Sequence, residues 1–152
     1  METNADTRRR PAVGDAAGDF LPHAPPFVLL DRIVALEESS GRFTKAIAAD
    51  DPIISPRHEL PPVLMVEAMA QASGLLLVHM HPSLGGRGAV LAAIDHCDMT
   101  AVARAGDVLE IEASLTRRYA DMARFRCVAR VGDRTCATAS LTLALAPTNY
   151  RR

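Results

Sequence analysis

Glu67 is the only charged residue between Val63 and Val78, a run otherwise made of Leu, Met, Val, Ala and a few small or uncharged polar residues. Glutamate is almost never fully buried without a partner, so its place in such a run needs a reason. One reason is chemical. Desolvation raises a carboxyl pKa and poises the group to give or take a proton. The other is structural: a glutamate at the edge of a helix, reaching solvent or an arginine across an interface. Gln71 follows four residues later, on the same helical face. The remaining reactive types form weaker patterns. His79 and His81 share no metal-ligand spacing with nearby acids and read as helix-end residues. His96 and Asp98 flank Cys97, which suits either a thiol site or an ordinary strand terminus. Cys97, Cys127 and Cys136 are odd in number and contain no CxxC pair, which argues against structural zinc. Two of them lie in strand-like runs and read as small buried hydrophobes in a reducing compartment. Met65, Met69 and Met80 read as core fillers.

These residues need a scaffold, and composition bounds it. The 152 residues suit one domain, and 49% hydrophobic content can build a core without staples. A net charge of -1 and 4% aromatics argue against a nucleic-acid partner. Arg8, Arg9 and Arg10 are not followed by an apolar run, so no secretory signal is read there. Glu67, Gln71 and Ser73 interrupt the apolar stretch from Leu60 to Met80, which argues against a membrane span; the expected location is cytoplasmic. Residues 1–18 are expected to be a disordered tail, 19–147 a single domain and 148–152 a C-terminal tail.

Within that domain, Phe27 to Leu36 and Arg42 to Ala49 are expected to be strands joined as a hairpin. Asp50 to Pro62 holds four prolines and reads as a loop. Val63 to Val78 is helical in composition and apolar nearly all round, so other structure must enclose it. Four more strands follow: Ala89 to His96, Val108 to Arg118, Met122 to Val131 and Thr135 to Ala146. The last three alternate apolar and polar residues, and Gly132-Asp133 signals a tight hairpin between the final two. An antiparallel sheet wrapped around one long buried helix satisfies both apolar surfaces. The predicted fold is α+β, with the layout of a hotdog.

Leu21-Pro22-His23, then Pro26-Phe27-Val28-Leu29-Leu30-Asp31-Arg32, then Val63-Leu64-Met65-Val66-Glu67-Ala68-Met69-Ala70-Gln71 resemble the 3-hydroxyacyl-acyl-carrier-protein dehydratases of type II fatty acid synthesis. Ile94-Asp95 and Gly106-Asp107 match in order and spacing, so the resemblance runs from about Phe20 to Leu145. It implies a hotdog dimer or an assembly of dimers, acting on acyl thioesters carried by acyl carrier protein or coenzyme A, with no metal, nucleotide or redox cofactor. It also implies that a histidine and a glutamate from opposite subunits remove water across the α and β carbons. Glu67 falls on the family's catalytic carboxylate. Gln71 falls beside it, as a substrate-contacting residue. His23 matches a family position that is not catalytic, and is expected to pin a loop.

Two departures stand out. Counting back from Glu67 by the family's spacing reaches Ile53 rather than a histidine, while counting forward from Asp51-Pro52 reaches Arg57, one short of His58. The loop is about five residues shorter than in the family. His58 is therefore the candidate catalytic histidine by position. The family's glycine before the helix, whose N–H polarises the thioester carbonyl, is replaced by Pro62, which has no N–H. The N–H of Val63 and the helix end are the candidate substitutes. Both departures resemble a short-loop branch found with secondary polyketide pathways such as aryl polyene synthesis. Three activities remain open: dehydration of 3-hydroxyacyl thioesters in fatty acid or polyketide biosynthesis, thioester binding by a non-catalytic subunit beside a related hotdog chain, and thioester hydrolysis. The basic strand face of Arg117, Arg118, Arg124 and Arg126 reads as a solvated face or as a dock for an acidic carrier protein.

Overall fold

The computed structural model describes residues 9–82 and 88–146. Helix α1 (Pro62–Met80) opens on Pro61 and Pro62, because proline at the first helical position gives up an N–H that has no intrahelical partner. By length and composition alone α1 could cross a membrane. Its apolar residues are instead taken up by a sheet: Met65, Ala68, Met69, Ala72, Leu75, Leu76 and Leu77 are all buried. Ser73 is buried too; its hydroxyl donates back to the Met69 carbonyl at 2.9 Å and lies 3.3 Å from the Cys127 thiol.

The sheet has six strands: β1 (Arg32–Leu36), β2 (Ser40–Ala46), β3 (Ala89–Met99), β4 (Val108–Tyr119), β5 (Met122–Val131) and β6 (Arg134–Leu145). Their order is β1-β2-β4-β5-β6-β3, with every neighbouring pair antiparallel. The helix packs on one face of this sheet, so the architecture is the expected wrapped helix. The alternation read in the last three strands sets that face. Leu109, Ile111 and Ala113 on β4, Ala123, Phe125, Cys127 and Ala129 on β5, and Ala139, Leu141 and Leu143 on β6 are buried. Gly132, at φ +57, and Asp133 make the two-residue β5–β6 turn, a conformation glycine adopts without steric cost.

Four expectations are corrected. The first strand does not begin at Phe27. Leu29 and Leu30 are buried, but the Leu29 N–H donates to a side chain of α1 rather than to a strand, and ladder pairing starts only at Arg32. The second strand ends at Ala46, not Ala49, and the third runs on to Met99. The expected tail is also ordered before residue 19. Gly14 N–H donates to the Ile33 carbonyl at 2.8 Å, Ile33 N–H to Asp15 at 3.1 Å and Ala17 N–H to Asp31 at 2.9 Å, and Ala17 is fully buried. This segment covers the outer edge of β1, and a short 3-10 turn (Ala17–Phe20) follows it. Residues 1–8 of the expected N-terminal tail, the whole expected C-terminal tail and most of the glycine-rich stretch after α1 lie outside the described residues.

Burial pushes the Cys127 thiol up to about 11, with Ser73 pulling weakly the other way. Between the ordinary value of 9.0 and about 11, the unfolded thiol ionises while the folded one keeps its proton. Stability from this group is therefore intact below pH 9 and lost as the pH rises through that window. The unfolding free energy of the wild type is expected to fall more steeply over that window than that of Cys127→Ala. Parallel slopes in urea titrations would contradict the burial.

Candidate active site

On the side of α1 facing away from the core, Glu67, Ala70, Gln71, Gly74 and Val78 form the wall of a cavity of about 740 Å³. A Cβ at Gly74 would meet nothing within 4 Å, so the helix surface is open there. The facing walls come from Phe20 to His23, from Val90 and Leu91 on β3, and from Leu143 on β6. This volume is in the usual range for small-molecule sites, about 300–1,000 Å³. Arg9 and Pro11 lie along the cavity edge, Arg9 held by Asp15 at 3.0 Å with its guanidinium 5.3 Å from the Phe20 ring centre.

The polar groups of the cavity converge on Glu67. Gln71 is buried, and its carboxamide is fully used. Its oxygen accepts from Leu29 N–H at 2.9 Å, and its nitrogen donates to the Phe27 carbonyl at 2.8 Å and to Glu67 Oε1 at 3.1 Å. Gln71 thus lines the cavity, with its polar atoms spent on orienting Glu67 and fixing the turn at residues 27–29. His23 was expected to pin a loop. Its Nε2 lies 3.2 Å from Glu67 Oε1, and its Nδ1 is buried with no hydrogen-bond partner among the described residues. Both side chains are partly exposed, His23 at 23% and Glu67 at 28%, so the pair sits at an accessible surface. Among the described residues both contacts use Oε1, which leaves Oε2 for a substrate.

The other expected site residues are not brought to this cavity by their own chain. His58 is exposed, at φ +58, in a turn closed by its N–H to the Ser55 carbonyl. The Ala105 N–H donates to the His58 carbonyl, and neighbouring Glu59 pairs with Arg104 at 2.9 Å. Ile53, at the family's histidine position, packs against the core. Pro62 and Val63 begin α1 on the surface, with Val63 72% exposed. Among the described residues no three of His, Cys, Asp and Glu gather so as to hold a metal ion. No spacing in the sequence links His23 to Glu67; their meeting follows from Gln71 drawing the turn at Phe27–Leu29 onto the helix.

With this geometry in place, comparison with known proteins decides the family. The model of the ApeP-like dehydratases matches residues 16–151. The chain belongs to the ApeP-like dehydratase family. Its curated relatives include the 3-hydroxyacyl-[acyl-carrier-protein] dehydratase FabZ of Caldanaerobacter subterraneus, 34% identical over 84% of this chain and 93% of the relative. FabZ of Bacillus velezensis is 33% identical over the same shares. Among solved structures, the dehydratase heterocomplex ApeI:P from Xenorhabdus doucetiae superposes with a TM-score of 0.79 at 18% identity, over 88% of this chain and 92% of that one. A hypothetical thioesterase with coenzyme A from Streptococcus pneumoniae gives 0.63 at 13% identity, over 76% and 84%. These structural likenesses establish the hotdog fold of the ApeP-like chain.

Gln71→Leu keeps the bulk of the side chain but leaves the buried Leu29 N–H and one contact of Glu67 unmet. The expected loss is about 1–3 kcal/mol of unfolding free energy. Urea denaturation checks it, and an unchanged midpoint would mean the carboxamide does not hold the turn.

Proposed function

We propose that this ApeP-like chain dehydrates 3-hydroxyacyl thioesters, carried on acyl carrier protein or coenzyme A, in fatty acid or polyketide biosynthesis. The supporting observation is Glu67: a carboxyl group oriented by Gln71, with one oxygen unengaged among the described residues, in a largely apolar cavity able to hold an acyl chain. Dehydration needs this chemistry. The thioester carbonyl acidifies the α-hydrogen, a base removes it, and the β-hydroxyl leaves once an acid has protonated it. Glu67 is the acid. A histidine is the base, and the amides at a helix start hold the carbonyl oxygen.

The role expected of the helix start at Pro62 and Val63 needs a second chain, because neither residue lines the cavity of its own chain. Strand β3 offers a place for one. It is the edge of the sheet, exposed along nearly its whole length, with Val90, Leu91, Ile94 and Met99 each at least 39% exposed. Long apolar edges of this kind recruit another strand. The second chain is a copy of this one or a related hotdog chain; the solved neighbour from Xenorhabdus doucetiae is itself a heterocomplex.

Purified protein is to be assayed with 3-hydroxyacyl thioesters of several lengths, alone and with a related hotdog chain. Glu67→Gln is expected to lower enoyl-thioester formation by about 10²–10⁴-fold; unchanged turnover would sink the proposal, and release of free thiol would show hydrolysis instead. Ile94→Asp places a charge on the open edge and is expected to shift the sedimentation of the protein toward the monomer. An unaltered profile would move the interface elsewhere.

A further inference from the structure

His23 stands where the resemblance assigns no catalysis, yet it is the one histidine beside Glu67 within the described chain. A histidine that pinned its loop would spend a ring nitrogen on backbone. His23 does not: its Nε2 faces Glu67 and its Nδ1 has no partner among the described residues. The pinning is done by Gln71, through Phe27 and Leu29. The imidazole is therefore held in a cavity wall, and its polar contact among the described residues is with the carboxyl group of Glu67. The loop that carries the family's histidine is shortened, with Ile53 packed against the core and His58 on the surface.

We propose that His23 is the catalytic base of this site, acting with Glu67 of the same chain. The assignment rests on the dehydration reading above. Neutral His23 takes the α-proton on Nε2 as the Cα–H bond breaks. That electron pair becomes the new carbon–carbon double bond as the Cβ–O bond breaks. The departing hydroxyl takes the proton of Glu67 and leaves as water. The proton on Nε2 then crosses the 3.2 Å contact to the Glu67 carboxylate, which restores the pair. Two groups 3.2 Å apart can serve both ends of the reaction because the α-hydrogen and β-hydroxyl sit on adjacent carbons.

The test compares His23→Gln, His23→Ala and His58→Ala with the wild type, in the oligomeric form that is active. Glutamine keeps a hydrogen bond to Glu67 but cannot serve as a base, so a merely structural His23 would tolerate it. The expected result is a fall in kcat of at least about 100-fold in both His23 variants, with thioester affinity within about threefold of wild type. Added imidazole restores part of the rate to His23→Ala, and His58→Ala stays near wild type. A His23→Gln enzyme that keeps pace with the wild type, while His58→Ala is inactive, overturns the assignment and leaves dehydration standing. A wild type that binds thioester and dehydrates none overturns the reaction class, and the role of His23 with it.

Discussion

The carboxamide of Gln71 is the contact on which the site depends. A buried primary amide brings one acceptor and two donors out of water, and each left unpaired costs about 1–3 kcal/mol. Gln71 meets that demand with a backbone N–H, a backbone carbonyl and a carboxylate, all within 3.1 Å. Two of those groups belong to the turn after Pro26 and the third to Glu67. One interaction thus joins the N-terminal segment to the central helix and sets the rotamer of the acid. The same contact brings His23, four residues before Phe27, alongside Glu67. Geometry needed for proton transfer and geometry needed for folding are here the same geometry, so the site is preorganised without a separate cost in loop entropy.

What could be read from the sequence follows from which forces act locally. The alternation of β4, β5 and β6 and the apolar run of α1 are periodic signals, and periodicity survives in a linear string; the wrapped-helix architecture came from them alone. Gly132-Asp133 marked its hairpin because a two-residue turn of positive φ restricts the residue types. The segment 27–30 misled because apolar residues look the same whether they pair in a ladder or pack under a helix, and only the partner of Leu29 N–H tells the two apart. The ordering of residues 12–17 was hidden for a related reason. Backbone hydrogen bonds to β1 hold it, and those carry no side-chain signature. Glu67 was legible because a charge in an apolar helix is anomalous. His23 was not, because its partner lies in another element.

The fold leaves the reaction open, since a thioesterase shares it with the dehydratase heterocomplex among the structural neighbours. What narrows the chemistry is local. Hydrolysis by a single carboxylate needs an ordered water beside the carbonyl carbon, whereas elimination needs an acid and a base one carbon apart. A carboxyl oxygen and an imidazole nitrogen at 3.2 Å suit the second demand better than the first.

The two departures from the wider dehydratase pattern then become a connected change. Once the base comes from the segment before β1, the loop between β2 and α1 no longer has to carry a histidine across to another subunit. It is free to shorten. What remains of it is held by structural contacts: Lys45, 7% exposed, pairs with Asp51 at 3.0 Å, and Glu59 pairs with Arg104. Ile53 can then pack against the core, where an imidazole would lose part of its hydration. Pro62 at the helix start fits the same shift, because it favours a firm first turn over a free amide. Relieved of catalysis, the loop keeps Ile53 and Ile54 against the core and leaves His58 on the surface.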